Sequence, residues 1–254
     1  MKIRKTHAAL ASVIVAVSVA GTGVALADGH DAKSEQWGII DRNTIGSPVA
    51  ELRDGPFAIS PQGSVTSPPF GKGSLGIEVA NDGASTTTAE KVSFGNEVDF
   101  AGDPVSGLTQ VGFQIFETAE DTQTPGSPFN LPNITLEINP DKDNATYTSM
   151  VWNPAPLPAD ELDQWSPYLD AASTSYRGWY FTGSFGQSSV CNLGHPCTLG
   201  DAVATLGPNA TIDSVAVAKG RDYAWQGAVD GLRINDQVFD FEKDGVHAHH
   251  ANSN

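Results

Sequence analysis

Basic residues and cysteine are what this chain has little of. Lys and Arg together number 14 against 30 Asp and Glu, giving a formal charge of −16. No cluster of Lys or Arg occurs after residue 5. A nucleic-acid partner needs a clustered basic face to displace counterions, so that class of partner is excluded. Long apolar runs are scarce too: beyond the N-terminal stretch none approaches the roughly 20 residues that cross a bilayer, so no membrane anchor is expected in the body of the chain. Internal repeats are absent, as are the G-x-S-x-G elbow, the HExxH helix and the Walker loop, so catalysis has no positive signature. Cysteine occurs only as Cys191 and Cys197, within CNLGHPC. A pair this close most simply forms a disulfide clipping a short loop in an oxidising compartment. The competing reading, a metal held by both thiolates and His195, lacks a fourth ligand nearby.

What is present begins with a basic head (Lys2, Arg4, Lys5), an apolar centre (ASVIVAVSVA) and the small-residue exit Ala25-Leu26-Ala27. That pattern predicts a signal peptide over 1–27, cleaved after Ala27, and hence a secreted, extracellular protein. Acidity then serves solubility and self-repulsion. The expected organisation is a flexible N-terminus over 28–36, one β-sandwich domain over 37–245 and a disordered polar tail over 246–254, in a monomer. His247, His249 and His250 fall in that tail, where three histidines on a loose chain are not preorganised for a metal.

Strand patterning fills the domain. Ile134, Leu136 and Ile138 alternate with polar residues, PDKDN turns the chain, and TYTSMVW returns, which is a hairpin. GSLGIEVA, KVSFGNEV, LTQVGFQIFE (with Val111, Phe113 and Ile115 on one face) and GWYFTGS read as further strands. Residues 211–242 read as three strands, with Asn235-Asp236 at a turn tolerant of positive φ and Phe239 and Phe241 alternating with Asp240 and Glu242. LGDAVATLG alone has helical spacing. Many short strands with turns between them predict an all-β, two-sheet antiparallel sandwich with at most one short helix.

The order of GKGSLGIEV, SGLTQVGFQIFE, NITLEINPDKDNATYTSMVWNP, WSPYLDAAS, TLGDAVATLGPNATI and WQGAVDGLRINDQVFDFE resembles the concanavalin A-like, laminin G-like jelly-roll modules of exported bacterial proteins. The likeness runs from about Trp37 to Glu242. It implies a jelly-roll sandwich; modules of that fold include glycan-binding lectins, adhesins and glycoside hydrolases.

Several constellations bear on chemistry. NEVDFAG resembles the E-x-D-x-x-E strand of laminarinase-type glucanases at Glu97 and Asp99, but Gly102 stands where the proton donor is required, so an ordinary acidic strand end is expected. GKGSLG matches G-x-G-x-x-G as a string, yet it opens a strand rather than a helix and reads as turn glycines. Asp141, Asp143 and Asn144 crowd one turn and are the candidate Ca²⁺ ligands, against a solvated hairpin tip. Strand parity puts Asp230 on the apolar face with Leu232 and Ile234 unless a bulge at Gly231 turns it out, and the bulge is the expected solution. Exposed aromatics stack on sugar rings. Trp165, Tyr168 and Trp179 are the candidate ligand-binding residues, with Trp165 and Tyr168 flanking a turn at Ser166-Pro167. The expected function is a secreted non-catalytic protein that binds glycan or is surface- or matrix-associated, with extracellular or cell-wall polysaccharide as its partner; the alternatives are a glycan hydrolase or lyase with an unusual site and a calcium-stabilised adhesion module.

Overall fold

The computed structural model describes residues 36–59, 65–80, 90–118, 131–158, 161–173, 178–221 and 223–251. The expected signal peptide lies outside the described residues, as do 28–35 of the expected flexible N-terminus. In chain order the strands begin with β1 (Trp37–Ile39), β2 (Val49–Asp54), β3 (Ala58–Ile59), β4 (Val65–Thr66), β5 (Gly73–Val79) and β6 (Val92–Asn96). They continue with β7 (Val111–Glu117), β8 (Asn133–Asn139), β9 (Thr148–Trp152), β10 (Leu169–Asp170) and β11 (Trp179–Phe181). After helices α1 (Gly183–Ser188) and α2 (Leu199–Thr205) come β12 (Thr211–Lys219), β13 (Trp225–Ile234), β14 (Gln237–Glu242) and β15 (Gly245–His250).

One sheet runs β1-β6-β12-β8-β9-β11 and the other β10-β7-β13-β14-β15, with β5 on β13 and β2 on β5; all these pairings are antiparallel. The protein is thus an all-β sandwich of antiparallel sheets, compatible with a jelly roll. Alternation decides the inner faces. Ile134, Leu136 and Ile138 of β8 and Val111, Phe113 and Ile115 of β7 are fully buried in one continuous apolar core. At one end of it Trp37, Phe94, Phe100, Phe239 and Phe241 pack edge to face or tilted, with Trp37 and Phe94 stacked, the arrangements that aromatic quadrupoles favour.

The helix expected over LGDAVATLG is α2, whose N-cap Thr198 accepts from the Asp201 amide at 3.1 Å and so satisfies one of the orphan donors at the helix start. A further helical segment, α1, carries two glycines that hid its periodicity. Cys191 and Cys197 form the expected disulfide, with an S–S distance of 1.99 Å. No described helix is long and apolar enough to cross a membrane.

The C-terminal reading needs correction. Residues 246–250 of the expected tail are not disordered: with Gly245 they form the strand β15, paired along β14 from Glu242↔Gly245 to Gln237↔His250; 252–254 lie outside the described residues. Val246 and Ala248 face inward and are buried, while the polar histidines alternate with them.

The seven-stranded sheet forks in the middle of β13. Up to Val229 that strand pairs with β5 on one edge; from Leu232 it pairs with β14 on the same edge. Register slips between Asp230 and Arg233 on the β7 side, where Gly231 has φ 62°. A residue at positive φ inside a strand is the mark of a bulge and suits glycine.

Candidate functional site

The outer face of the seven-stranded sheet carries the polar residues that parity sends away from the core. Phe239 and Phe241 point inward, so Val238, Asp240 and Glu242 point outward; Val246 and Ala248 point inward, so His247 and His249 point outward. The bulge reverses parity as expected: Val229 and Leu232 both reach the core, and Asp230 lies on the outer face opposite Gln114. It is nevertheless fully buried.

Asp230 sits where the sheet forks. Its carboxylate accepts the main-chain amides of Phe70 and Phe241, each at 3.1 Å, donors that the splayed strands leave without a ladder partner. The Phe70 ring covers the bulge, and a β-carbon at position 231 would stand 2.5 Å from it. Burial pushes the Asp230 carboxyl up to about 8, with the charge of Asp240 adding to the rise and the amides of Phe241, Gly231 and Phe70 opposing it.

The neighbouring carboxylates follow the same logic with different outcomes. Glu242 accepts from the amides of Lys72 and Gly73, tying the start of β5 to β14. Asp240 is only 6% exposed. Its Oδ2 lies 3.5 Å from His249 Nε2, and its Oδ1 is buried with no hydrogen-bond partner. Burial and then the charge of Glu242 raise its carboxyl above the usual range, against the pull of His249 and His247.

Of these carboxylates Asp240 lines a cavity of about 530 Å³, whose lining also includes Phe70, Gln114, Tyr168, Arg233 and His249. Tyr168 reaches it because Leu169 of β10 turns inward and its neighbour must turn outward. The ring lies over Gly112 of β7, where a β-carbon would stand 2.5 Å from its hydroxyl. Tyr168 keeps 37% of its surface exposed; its phenol is raised by burial and then by Asp170. Gln114 donates to the Ser166 carbonyl at 3.0 Å and so steadies the turn that carries Tyr168.

The other candidate residues are placed elsewhere. Trp179 is not a ligand platform: it is fully buried between the sheets, its indole donating to the Ala171 carbonyl at 2.8 Å. Trp165 is half-buried, packs edge-on against Phe116 at 5.7 Å and donates to the Pro56 carbonyl at 3.1 Å; it stands outside the cavity lining. Asp141 is spent on the turn opposite, accepting from the Asn209 amide and side chain at 3.1 and 2.9 Å. Asp143 and Asn144 are exposed, and among the described residues no three His, Cys, Asp or Glu side chains gather to hold a metal ion.

β6 ends at Asn96, so Glu97 and Asp99 do not share a strand face. Asp99 accepts from Asn96 at 2.8 Å, and Glu97 pairs with Arg42. The carboxylate that matters on this second sheet is Glu137, outward on β8 and 1% exposed. It takes hydrogen bonds from Asn43 at 2.9 Å, Tyr147 at 2.7 Å, Ser214 at 2.7 Å and from Arg42. Burial alone would raise its carboxyl; the four donors outweigh burial and hold it below the usual range. With its lone pairs filled, Glu137 is a clasp for the 41–43 turn rather than a reactive group.

Sequence reasoning missed Asp240, Phe70 and the β15 histidines. The alternation of Val246 and Ala248 with histidine was the available signal for β15. Comparison with protein-family profiles, curated proteins and solved structures gives no match to this chain.

Proposed function

We propose that this chain is an exported, non-catalytic β-sandwich protein, of the concanavalin A-like, laminin G-like kind, that binds a glycan in the cavity under Tyr168. One observation carries the reading: an exposed aromatic ring and the Phe70 ring meet a floor of hydrogen-bonding side chains in a single concavity of about 530 Å³. Sugars present apolar C–H faces that stack on aromatic rings and equatorial hydroxyls that need paired donors and acceptors. Gln114, Arg233, Asp240 and His249 supply both kinds. Export is supported by the disulfide and by the basic–apolar–small pattern at the N-terminus.

A hydrolase would need two carboxyl groups free to act as nucleophile and acid. Asp230 is a poor member of such a pair because both its oxygens take main-chain amides. The test is a pull-down on immobilised wall and plant polysaccharides, followed by titration calorimetry with oligosaccharides of whichever is bound. Tyr168→Ala is expected to weaken binding at least tenfold, about 1.4 kcal/mol, while Trp165→Ala leaves it unchanged. Retention of full affinity in Tyr168→Ala, or no polysaccharide bound by the wild type, overturns the proposal.

A further inference from the structure

The floor of the cavity is short of donors at one place. Three carboxylates, Asp230, Asp240 and Glu242, lie on the same face of adjacent strands. Two of them take main-chain amides: Asp230 accepts Phe70 and Phe241, one on each oxygen, and Glu242 accepts Lys72 and Gly73, both on Oε1. Asp240 has no such amide. Its residue surface is 6% exposed, it lines the cavity, Oδ2 has His249 at 3.5 Å, and Oδ1 has nothing. A buried acceptor without a donor is costly, and the charge of Glu242 adds repulsion. Rotation about χ2, which is broad and nearly two-fold for Asp, brings either oxygen to the cavity side.

We propose that Asp240 anchors a primary ammonium group, so that the glycan taken by this cavity is one with free amino groups on its sugars. The inference rests on the glycan-binding reading and narrows it. An ammonium brings three donors and a positive charge to a carboxylate whose Oδ1 has no hydrogen-bond partner and whose Oδ2 has His249 at 3.5 Å. The Tyr168 and Phe70 rings on the same cavity favour a cation over their faces, and a chain of charge −16 draws cationic polymers towards it.

Titration calorimetry on the intact protein decides this with four probes: a glucosamine tetramer, its fully N-acetylated counterpart, a glucose tetramer and spermidine. The expected result is binding of the glucosamine tetramer at least tenfold tighter than of either neutral tetramer, with that preference abolished in Asp240→Asn. The ranking of the tetramers on the wild type decides even if Asp240→Asn fails to fold, and a thermal melt followed by circular dichroism shows whether it has. Equal affinity for the three tetramers, or a preference that survives in a folded Asp240→Asn, overturns the ammonium anchor while leaving glycan binding standing. Asp240-dependent binding of spermidine with no tetramer bound supports the anchor and removes the glycan. Binding of none of the four overturns the anchor.

Discussion

Replacing Asp230 by Asn sets two opposing forces against each other at the fork of the seven-stranded sheet. Burial and the Asp240 charge raise the Asp230 carboxyl to about 8, while the amides of Phe241, Gly231 and Phe70 favour its ionised form. The unfolded chain titrates near 3.9. Because the folded value is the higher one, the folded state holds a proton that the unfolded state has lost between these limits. The stabilising contribution is therefore complete below about pH 4 and is lost as pH rises through about 8. The slope is about 1.36 kcal/mol per pH unit, so wild type loses roughly 2.5 kcal/mol between pH 5 and 7 through this group. Asn does not titrate. It accepts only one of the amides of Phe70 and Phe241, for a pH-independent cost of about 1–2 kcal/mol. The two stability curves should then cross near pH 5, and Asp230→Asn should be the more stable form at pH 7 by about 2 kcal/mol. Urea titrations followed by tryptophan fluorescence at pH 5, 6 and 7, with unchanged m-values, measure the difference directly. Parallel curves, with the variant less stable by the same amount throughout, would mean that the amides hold Asp230 ionised and that the ordering of forces is wrong.

Other expectations follow from the same structure. Glu137→Gln should cost about 2 kcal/mol at neutral pH, because an amide nitrogen would face donors that now meet a carboxylate. Since the folded value of Glu137 is lowered, its contribution is present above the unfolded value and vanishes as pH falls through the folded one. The variant should thus lose part of the acid limb of the stability curve, and an acid limb equal to that of wild type would refute the clasp. Truncation before Gly245 should destabilise by about 3 kcal/mol through the lost burial of Val246 and Ala248. It should also leave β14 as a bare edge prone to self-association, visible by light scattering; a monomeric product with unchanged melting would count against β15.

The legible part of the fold was whatever period two could report. Ile134, Leu136 and Ile138 faced inward as read, Asn235 took the positive φ expected of its turn, and the bulge at Gly231 reversed parity where Asp230 demanded it. The residues around the cavity were harder to read because the chain brings them from far apart: Phe70 and Asp230 meet across 160 positions, and no local pattern encodes that contact. Aromatic burial was equally illegible, since nothing local to either residue tells that Trp179, on β11 of the six-stranded sheet, is buried while Tyr168, beside β10 of the seven-stranded sheet, stays part-exposed. β15 was hidden by composition, as the histidines of GVHAHH outweighed Val246 and Ala248 between them.

The location of the ligand is tested most directly by amide chemical-shift mapping of the labelled protein during titration with a bound oligosaccharide. Shifts gathered at Phe70 and Gly71, Gly112 to Gln114, Tyr168, Gly231 to Arg233, Val238 to Asp240 and His249 to Ala251 are the predicted outcome. Shifts gathered instead around Trp165, or on the Glu137 face of the opposite sheet, would contradict it.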